Sequence, residues 1–321
     1  MASCLRWCTD LVPDHVLRPF RQEDAREVHD LLLRYAAADL VDPRSTIDPV
    51  LDVAGVRRRM LAADWAVVAV DPVGSLVGWA SVRSWIEADQ TGVYLTDGYV
   101  APPARRRGLG GRLLREAEVV ATGFAAGRGQ QGAVVLGGNA STVQPERVAL
   151  LERAGYRRVF TMVEMGHDGS AVPLRRLPPG AVVRLASVAD AGALVALTAG
   201  VWAGRAYFTP PAEEQFRDWL RRSDLDWFQV ATVSDRIVAF VAASCTPVRV
   251  EIEDVQVDPD FQRRGLATAL LTRTLTMLAG QGADAIRLHT EGHDPAGARS
   301  LYERLGFRVV REHGRYRKPL R

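Results

Sequence analysis

The residues of this chain best suited to chemistry stand in a short polar, glycine-containing stretch before an apolar, helix-periodic segment. They are Gln262, Arg263, Arg264, Gly265, Leu266, Ala267 and Thr268. The first turn of a helix has backbone N–H groups without intrahelical partners and carries the positive end of the helix dipole. Gly265 and the small Ala267 allow an anion to approach these groups closely, and the polar side chains before the glycine add donors. The pattern predicts a pyrophosphate site.

Carboxylates form a second group of candidates on the preceding β-rich segment, 250–257, which contains Glu251, Glu253 and Asp254. Strand alternation places Glu251 and Glu253 on one face and Asp254 on the other. Acyl transfer to an amine needs a base for the ammonium proton, donors for the oxyanion and an acid for the leaving group. A carboxylate here is a candidate base. The alternative is that these acids are hydrophilic residues at an edge or a solvent-facing side.

The glycine-containing stretch is one part of an internal repeat. Residues 104–114 resemble 261–271, and three more pairs of segments match in the same order. Those pairs are 16–25 with 182–191, 64–82 with 226–244, and 150–159 with 301–310. The repeat indicates a tandem domain duplication. It also gives a second candidate phosphate site, made of Arg105, Arg106, Arg107, Gly108, Leu109 and Gly110.

A Gly- and Pro-rich segment without periodicity, 166–181, separates the two copies and is interpreted as the linker. We therefore predict an N-terminal domain at 1–170 and a C-terminal domain at 180–321, with the boundary near residue 175. Each copy has a predicted hairpin, a strand, a long helix, a second strand, a short helix and a last strand. This order predicts an α/β fold in which each domain has a central mixed β-sheet flanked by helices.

Each half resembles the GNAT superfamily of N-acetyltransferases, whose signature Q/R-x-x-G-x-G/A is met by "QRRGLA" (262–267) and "RRRGLG" (105–110). The resemblance covers about 15–165 and 181–321, and chains of this type are similar to mycothiol synthases and other two-domain acetyltransferases of actinobacteria. It implies that acetyl-CoA is the co-substrate, with its pyrophosphate on this loop. Its pantetheine arm would lie between two splayed strands, here 250–257 and 285–290.

The resemblance also implies roles for particular residues of the C-terminal half. The family's base corresponds to Glu253, and its general acid corresponds to Tyr302 in "LYERLGF". The backbone N–H groups near Val255 and Val257 are candidates for holding the thioester oxygen. Asp294 stands where the family often has Asn beside the pantetheine, which is a departure from the pattern. Core packing is the alternative explanation for Tyr302, and His289 is an alternative base.

The N-terminal half aligns Thr96 with Glu253 and Leu151 with Tyr302, and neither residue transfers a proton at neutral pH. Glu87, Asp89 or Tyr94 could substitute. We expect the C-terminal domain to be catalytic and the N-terminal domain to hold CoA or to act as a scaffold. A non-catalytic CoA-binding or regulatory protein is the alternative from another class, and a structural protein without a ligand is a weaker one.

Composition restricts the partners. The 321 residues carry a net charge of +3, without a basic block interleaved with aromatics, so nucleic acid is not expected as a partner. No segment approaches the roughly 20 apolar residues of a membrane span. Three cysteines are too few for a disulfide framework. We expect a cytoplasmic enzyme with a small-molecule amine acceptor. We expect no metal, because the spacing of the candidate ligands between His289 and Asp294 matches no metal-binding motif. Acceptor identity and oligomeric state are left open.

Overall fold

The computed structural model describes residues 15–129, 132–204, 211–293 and 297–320. Within these residues the chain forms twelve strands and eight α-helices, which confirms the α/β prediction. The elements of the N-terminal half are β1 (Val16–Pro19), α1 (Asp24–Tyr35), α2 (Val53–Leu61), β2 (Trp65–Val70), β3 (Leu76–Ile86), β4 (Gly92–Val100), α3 (Leu109–Gly127), β5 (Val134–Ser141), α4 (Pro145–Arg153) and β6 (Arg157–His167).

The C-terminal half repeats this order, as the internal repeat predicts. Its elements are β7 (Ala181–Leu185), α5 (Ala191–Trp202), α6 (Glu213–Arg222), β8 (Phe228–Val233), β9 (Arg236–Cys245), β10 (Val250–Val257), α7 (Leu266–Gly280), β11 (Ile286–Glu291), α8 (Ala298–Arg304) and β12 (Arg308–Pro319). The predicted hairpin between β8 and β9 is present. Ser234 and Asp235 form its turn with φ of +48° and +63°, which is the backbone twist that a two-residue hairpin loop requires.

The two half-sheets join into one sheet of twelve strands, in the order β1-β2-β3-β4-β5-β12-β6-β11-β10-β9-β8-β7. The last strand of each half is therefore exchanged. β12 from the C-terminal half pairs with β5 and β6, while β6 from the N-terminal half pairs with β11 and β12, all antiparallel. The repeat predicts two similar halves, but it does not predict that each completes the sheet of the other.

The exchanged strands also contribute to the core of the opposite half. Val163 and Met165 of β6 are fully buried in the cluster formed by α7 and the C-terminal strands, and Tyr316 of β12 is buried in the cluster around α3. Complete burial of one such apolar side chain contributes about 1.5–3 kcal/mol to stability. Because each half buries side chains of the other, we expect the two halves to unfold together.

Helices cover both faces of the sheet. The back face packs against α3 and α7, as shown by the contacts of Leu136 with the α3 cluster and of Ile252 and Leu288 with the α7 cluster. The front face packs against α1 and α2 in the N-terminal half and against α5 and α6 in the C-terminal half, where Phe228 and Phe240 are buried. Successive side chains along a strand therefore point alternately to the helices of the front face and to the helix of the back face.

On the front face, the connection between α1 and α2 crosses the junction between the half-sheets; we call residues 36–52 the strap. Its attachment point is Glu164 on β6, which is fully buried. The backbone N–H of Thr46 donates to Glu164 Oε1 at 2.6 Å, and Ser45 Oγ donates to Oε2 at 3.1 Å. Asp42 forms an ion pair with Arg287 of β11 at 3.0 Å. The strap therefore binds strands from both halves.

Candidate active site

The predicted phosphate loop has a backbone conformation that leaves the first turn of α7 free. Gly265 caps the helix with φ +89°, and no side chain bonds to the first amides from this position. Arg263 also has positive φ, at +63°. A Cβ built on Gly265 would meet no protein atom within 4 Å, so glycine is required by its φ and the space before the helix is open. The arrangement suits an anion at the helix N-terminus.

The two central strands of the C-terminal half separate beside this loop. β10 and β11 are parallel, but only Val250–Ile286 and Glu251–Arg287 are in register. A cleft of about 890 Å³ opens beyond these pairs. Ten residues predicted for the site line it: Glu253, Val255, Val257, Gln262, Arg263, Gly265, Leu266, Ala267, Thr268 and Tyr302. One cleft therefore brings together the phosphate loop, the candidate base and the candidate acid.

Two predicted rim donors are used to hold the loop. Gln262 Nε2 donates to the carbonyl oxygen of Val257 at 3.1 Å. Arg264 donates to the carbonyl oxygen of Asp260 at 2.7 Å, and its guanidinium lies 5.0 Å from the ring centroid of Phe261. Arg264 is not among the residues that line the cleft. Asp294 lies outside the described residues.

The predicted alternation of the three carboxylates on β10 is wrong. The register with β9 shifts between Ile252 and Asp254, so Glu253 is the extra residue of a β-bulge. Glu251 pairs with Ser244 and Asp254 pairs with Ala242, two positions apart on β9. Glu251 and Asp254 therefore share the front face. The bulge cannot be read from the alternation of a short acidic segment.

The carboxylates differ in their surroundings. Burial raises the pKa of Glu251 to about 7, because Arg249 at 3.4 Å offsets the loss of water only in part. Burial likewise raises the pKa of Asp254 to about 6, although Gln256 Nε2 donates to it at 2.7 Å. Glu253 accepts a hydrogen bond from Trp219 Nε1 of α6 at 3.2 Å. The site thus holds carboxyl groups that exchange protons near neutral pH.

Tyr302 lies on α8 at the side of the cleft opposite β10. Its side chain is largely buried, and its ring packs edge-on to Phe307 with centroids 6.0 Å apart. It lines the cleft and also belongs to the core cluster of α7. The alternative interpretation of Tyr302 as a core residue and the proposed catalytic role are both compatible with this position.

His289 of β11 also lines the cleft. Its Nδ1 lies 3.3 Å from Thr46 Oγ1 of the strap and 3.8 Å from Glu251 Oε1. Burial and the nearby Arg315 lower the pKa of His289, so its ring is a neutral hydrogen-bonding group at the pH where Glu251 titrates. Thr46 could not be predicted as a neighbour of His289, because 243 residues separate the two in the chain.

The N-terminal half repeats the loop backbone but uses its side chains differently. Arg106 and Gly108 have φ of +64° and +85°, close to the values of their counterparts. Arg105 forms an ion pair with Asp39 at 2.7 Å, and Arg106 forms one with Glu146 at 3.1 Å. The three other predicted positions lie as follows: Arg107 lines a separate cavity of about 510 Å³, Leu109 is buried, and Gly110 faces Leu150.

The gap between β4 and β5 is crossed by an arginine. β4 and β5 pair as far as Thr96–Gly138 and then separate. Arg147 of α4 reaches through this region to Asp97 at 2.8 Å and to the carbonyl oxygen of Gly98 at 3.0 Å. Gly98 corresponds to Val255, so Arg147 occupies the place that corresponds to the cleft beside Val255 in the other half.

The residues aligned with the candidate base and acid have structural roles in the N-terminal half. Thr96 Oγ1 donates to the carbonyl oxygen of Gly137 at 2.9 Å. Leu151 packs so closely on Gly138 that a Cβ there would lie 2.7 Å from Leu151 Cδ2. The loss of the groups for proton transfer in this half stays a prediction, with Glu87, Asp89 and Tyr94 as the alternatives.

Comparison with known proteins identifies the class. The family model described as "Acetyltransferase (GNAT) family" matches residues 36–156 and 196–307, more than half of the chain. The chain therefore belongs to the GNAT acetyltransferase family, and it is an acyltransferase with two GNAT domains. In the described residues, no helix is long and apolar enough to cross a membrane.

Individual relatives share the tandem arrangement. The mycothiol acetyltransferase of Beutenbergia cavernae is 31% identical over 79% of this chain and 83% of its own length. A GCN5-related N-acetyltransferase from Sphaerobacter thermophilus matches with a TM-score of 0.75 and 22% identity, covering 96% of each chain. A tandem GNAT protein from the clavulanic acid biosynthesis pathway matches with a TM-score of 0.70 and 15% identity, over 95% of this chain and 98% of that one. The similarity to these two solved structures shows the fold alone.

Proposed function

We propose that the C-terminal half transfers an acetyl group from acetyl-CoA to a small-molecule amine, by direct attack within a ternary complex. The observation that carries this proposal is the single cleft in which Glu253, Tyr302 and the uncapped start of α7 meet. Cys245, at the end of β9, is a free cysteine outside the cleft lining, so the proposal uses no covalent acyl-enzyme.

The phosphate loop would hold the coenzyme. The amides of Leu266, Ala267 and Thr268 are the free donors of the first turn of α7, and Arg263 adds a positive charge at the edge of the cleft. The backbone of Val255 and Val257 faces the gap between β10 and β11, where the strands no longer pair. These N–H groups would bind the thioester oxygen and stabilise the oxyanion.

Glu253 is the proposed base because it lines the cleft at the bulge of β10. Glu251 is its rival, because a pKa of about 7 suits a group that must accept a proton at neutral pH. If Glu251 is the base, kcat/KM rises with pH through about 7 and the rise disappears in Glu251→Gln. If Glu253 is the base, Glu253→Gln loses turnover and Glu251→Gln keeps most of it.

Tyr302 is the proposed acid for the departing thiolate. Its hydroxyl can donate a proton, and its position on α8 places it across the cleft from β10. Tyr302→Phe keeps the packing against Phe307 and removes only the hydroxyl, so it tests the chemical role apart from the structural one.

The N-terminal half is proposed as a scaffold that does not bind acetyl-CoA. Support comes from Arg147, which bonds to Asp97 and Gly98 in the gap that a pantetheine arm would have to enter. The relatives named mycothiol acetyltransferase favour a small-molecule acceptor for this chain as well.

Steady-state kinetics with acetyl-CoA and a panel of small amines tests the proposal, together with calorimetric titration of acetyl-CoA. Glu253→Gln and Tyr302→Phe should each lower kcat by about a hundredfold or more, the usual contribution of a general acid or base, while acetyl-CoA binding survives. Unchanged kcat in both variants would reject the assignment. Binding of acetyl-CoA without acetylation of any amine would favour the non-catalytic alternative, and parallel double-reciprocal lines would contradict the ternary complex.

A further inference from the structure

The cleft extends beyond the C-terminal half onto a strand of the N-terminal half. Met162 and Phe160 of the exchanged strand β6 line it on the side away from β10. Met162 pairs with Glu291 of β11, and Phe160 pairs with Arg315 of β12. The end of the cleft therefore lies next to Arg315. The α1–α2 strap bonds to Glu164 through Thr46, and its Asp48 comes close enough to Arg315 to attract it without forming an ion pair.

One row of residues continues from the end of the cleft across the front face. Arg315 pairs with Phe160 on one side and with Asn139 of β5 on the other. β4 runs parallel to β5, and its pairing ends at Thr96–Gly138, one residue before Asp97 and Asn139. Asp97 in turn pairs with Ser81 on β3, two positions from Arg83. Asp97 therefore lies between Arg315 and Arg83 on the same face and attracts both, while the strands of the two arginines, β12 and β3, are three positions apart in the sheet.

This row carries more positive than negative charge. Arg59, Arg83, Arg147 and Arg315 surround two carboxylates, Asp97 and Asp48. Asp97 forms ion pairs with Arg59 and Arg147. Within the described part of the chain, Arg83 and Arg315 form no ion pair, and Arg83 Nε is buried without a hydrogen-bond partner. Arg59 and Arg147 share Asp97, and Asp48 attracts Arg315 without forming an ion pair, so the Arg315 guanidinium keeps donors for an anionic ligand.

The electrostatic cost of burying these guanidinium groups supports a role in binding an anion. Burial lowers the pKa of Arg83, and Arg59 beside it lowers that pKa further. Burial also lowers the pKa of Arg315, and the attraction of Asp48 and Asp97 offsets it only in part. Partly buried charges of one sign without matching partners destabilise a fold, and they recur where a charged ligand completes the site. The Asn139 amide, placed to accept from Arg315 Nη1 at 2.9 Å, orients that guanidinium.

The opposite end of the cleft has the opposite charge. Glu251, Glu253 and Asp254 lie on β10, where the amine must be deprotonated. β10 and β12 are three interstrand spacings apart in the sheet order, which is about 14 Å between backbones. The two ends therefore suit an elongated molecule with an ammonium group at one end and an anionic group at the other.

We propose that the acceptor amine carries a carboxylate or phosphate group, which Arg315 binds at the N-terminal end of the cleft, beside Phe160 and His289. The inference rests on the proposed acetyl transfer, because it assigns the amine of the acceptor to the carboxylates on β10. It gives the N-terminal half a direct part in acceptor selection.

Matched acceptor series test the proposal with the full chain. The probes are ω-amino carboxylates and ω-aminoalkyl phosphates with six to twelve carbons, and the amino alcohols of equal length as neutral partners. A charge-assisted hydrogen bond contributes about 1.5–3 kcal/mol, so the acidic probes should exceed the alcohols in kcat/KM by about tenfold to a hundredfold. The better of the two acidic series identifies the anion.

Arg315→Gln should remove this preference and leave both the KM for acetyl-CoA and the rate with amino alcohols unchanged. Arg273→Gln, an exposed arginine on α7, is the matched control and should keep the preference. Equal kcat/KM for acidic and neutral probes in the unmodified protein would overturn the inference while acetyl transfer stands.

Calorimetric binding of the acidic probes provides a readout that does not need turnover. Arg315-dependent binding without acetylation would support the anion site and reject the proposed reaction. Acidic probes that bind the unmodified protein and the Arg315→Gln variant equally well would contradict the anion site directly.

Discussion

Replacing Glu251 with Gln should stabilise the protein at neutral and alkaline pH. Burial raises the pKa of Glu251 from an ordinary 4.5 to about 7, so the folded protein keeps a proton that the unfolded chain releases between these values. Stability therefore falls as the pH rises from about 4.5, and the full penalty is present above about 7. At about 1.36 kcal/mol per pKa unit, the penalty is about 3 kcal/mol.

The gain should be close to this penalty. Glutamine is neutral at every pH, so it avoids the cost of ionising a buried carboxyl group. Loss of the ion pair with Arg249 at 3.4 Å does not reduce the gain further, because the attraction of Arg249 is already contained in the pKa of about 7. We expect Glu251→Gln to be about 3 kcal/mol more stable near pH 8 and to differ little from the unmodified protein near pH 5, where Glu251 is already protonated.

Urea unfolding of the two proteins at both pH values measures this difference. Glu23→Gln, which changes an exposed glutamate before α1, is the control and should leave stability unaltered at either pH. A Glu251→Gln protein that is less stable near pH 8, or whose stability difference is the same at both pH values, would refute the reasoning. Lower activity together with higher stability would show that the buried carboxyl group is retained for function.

Three further predictions concern the phosphate loops, the blocked gap and the strap. Gly265→Ala and Gly108→Ala should each destabilise the fold by about 1–2 kcal/mol because of positive φ, but only Gly265→Ala should raise the KM for acetyl-CoA. Calorimetry should find one acetyl-CoA per chain, and Arg147→Ala should permit a second; two sites in the unmodified protein would show that Arg147 does not block the gap. Glu164→Gln should lower the unfolding free energy by about 1–3 kcal/mol, as its buried bonds to the strap weaken, and the acceptor KM should rise more than that for acetyl-CoA.

Local sequence signals were sufficient to predict the elements and their order. The repeat, the glycine before each long helix and the Ser234–Asp235 turn depend on residues close together in the chain, and the structure has each of them where expected. The α/β prediction and the family resemblance are confirmed for the same reason. The assignments of Glu253 and Tyr302, and the domain limits, stay predictions.

Features that depend on distant partners were not predictable. The exchange of β6 and β12 changes no local sequence pattern. The two strands have equivalent positions in the two halves, so each can take the place of the other in the sheet. The bulge at Glu253 shifts the face of Asp254 through its pairing with β9. Arg147 looks like an ordinary helix residue until the fold places it at Asp97.

The most direct test of the account is a crystal structure of the full chain with acetyl-CoA. We expect one coenzyme per chain, with its pyrophosphate at the first turn of α7 and its thioester between β10 and β11, near Glu253 and Tyr302. A coenzyme seated on Gly108 in the N-terminal half, with the C-terminal cleft empty, would contradict it.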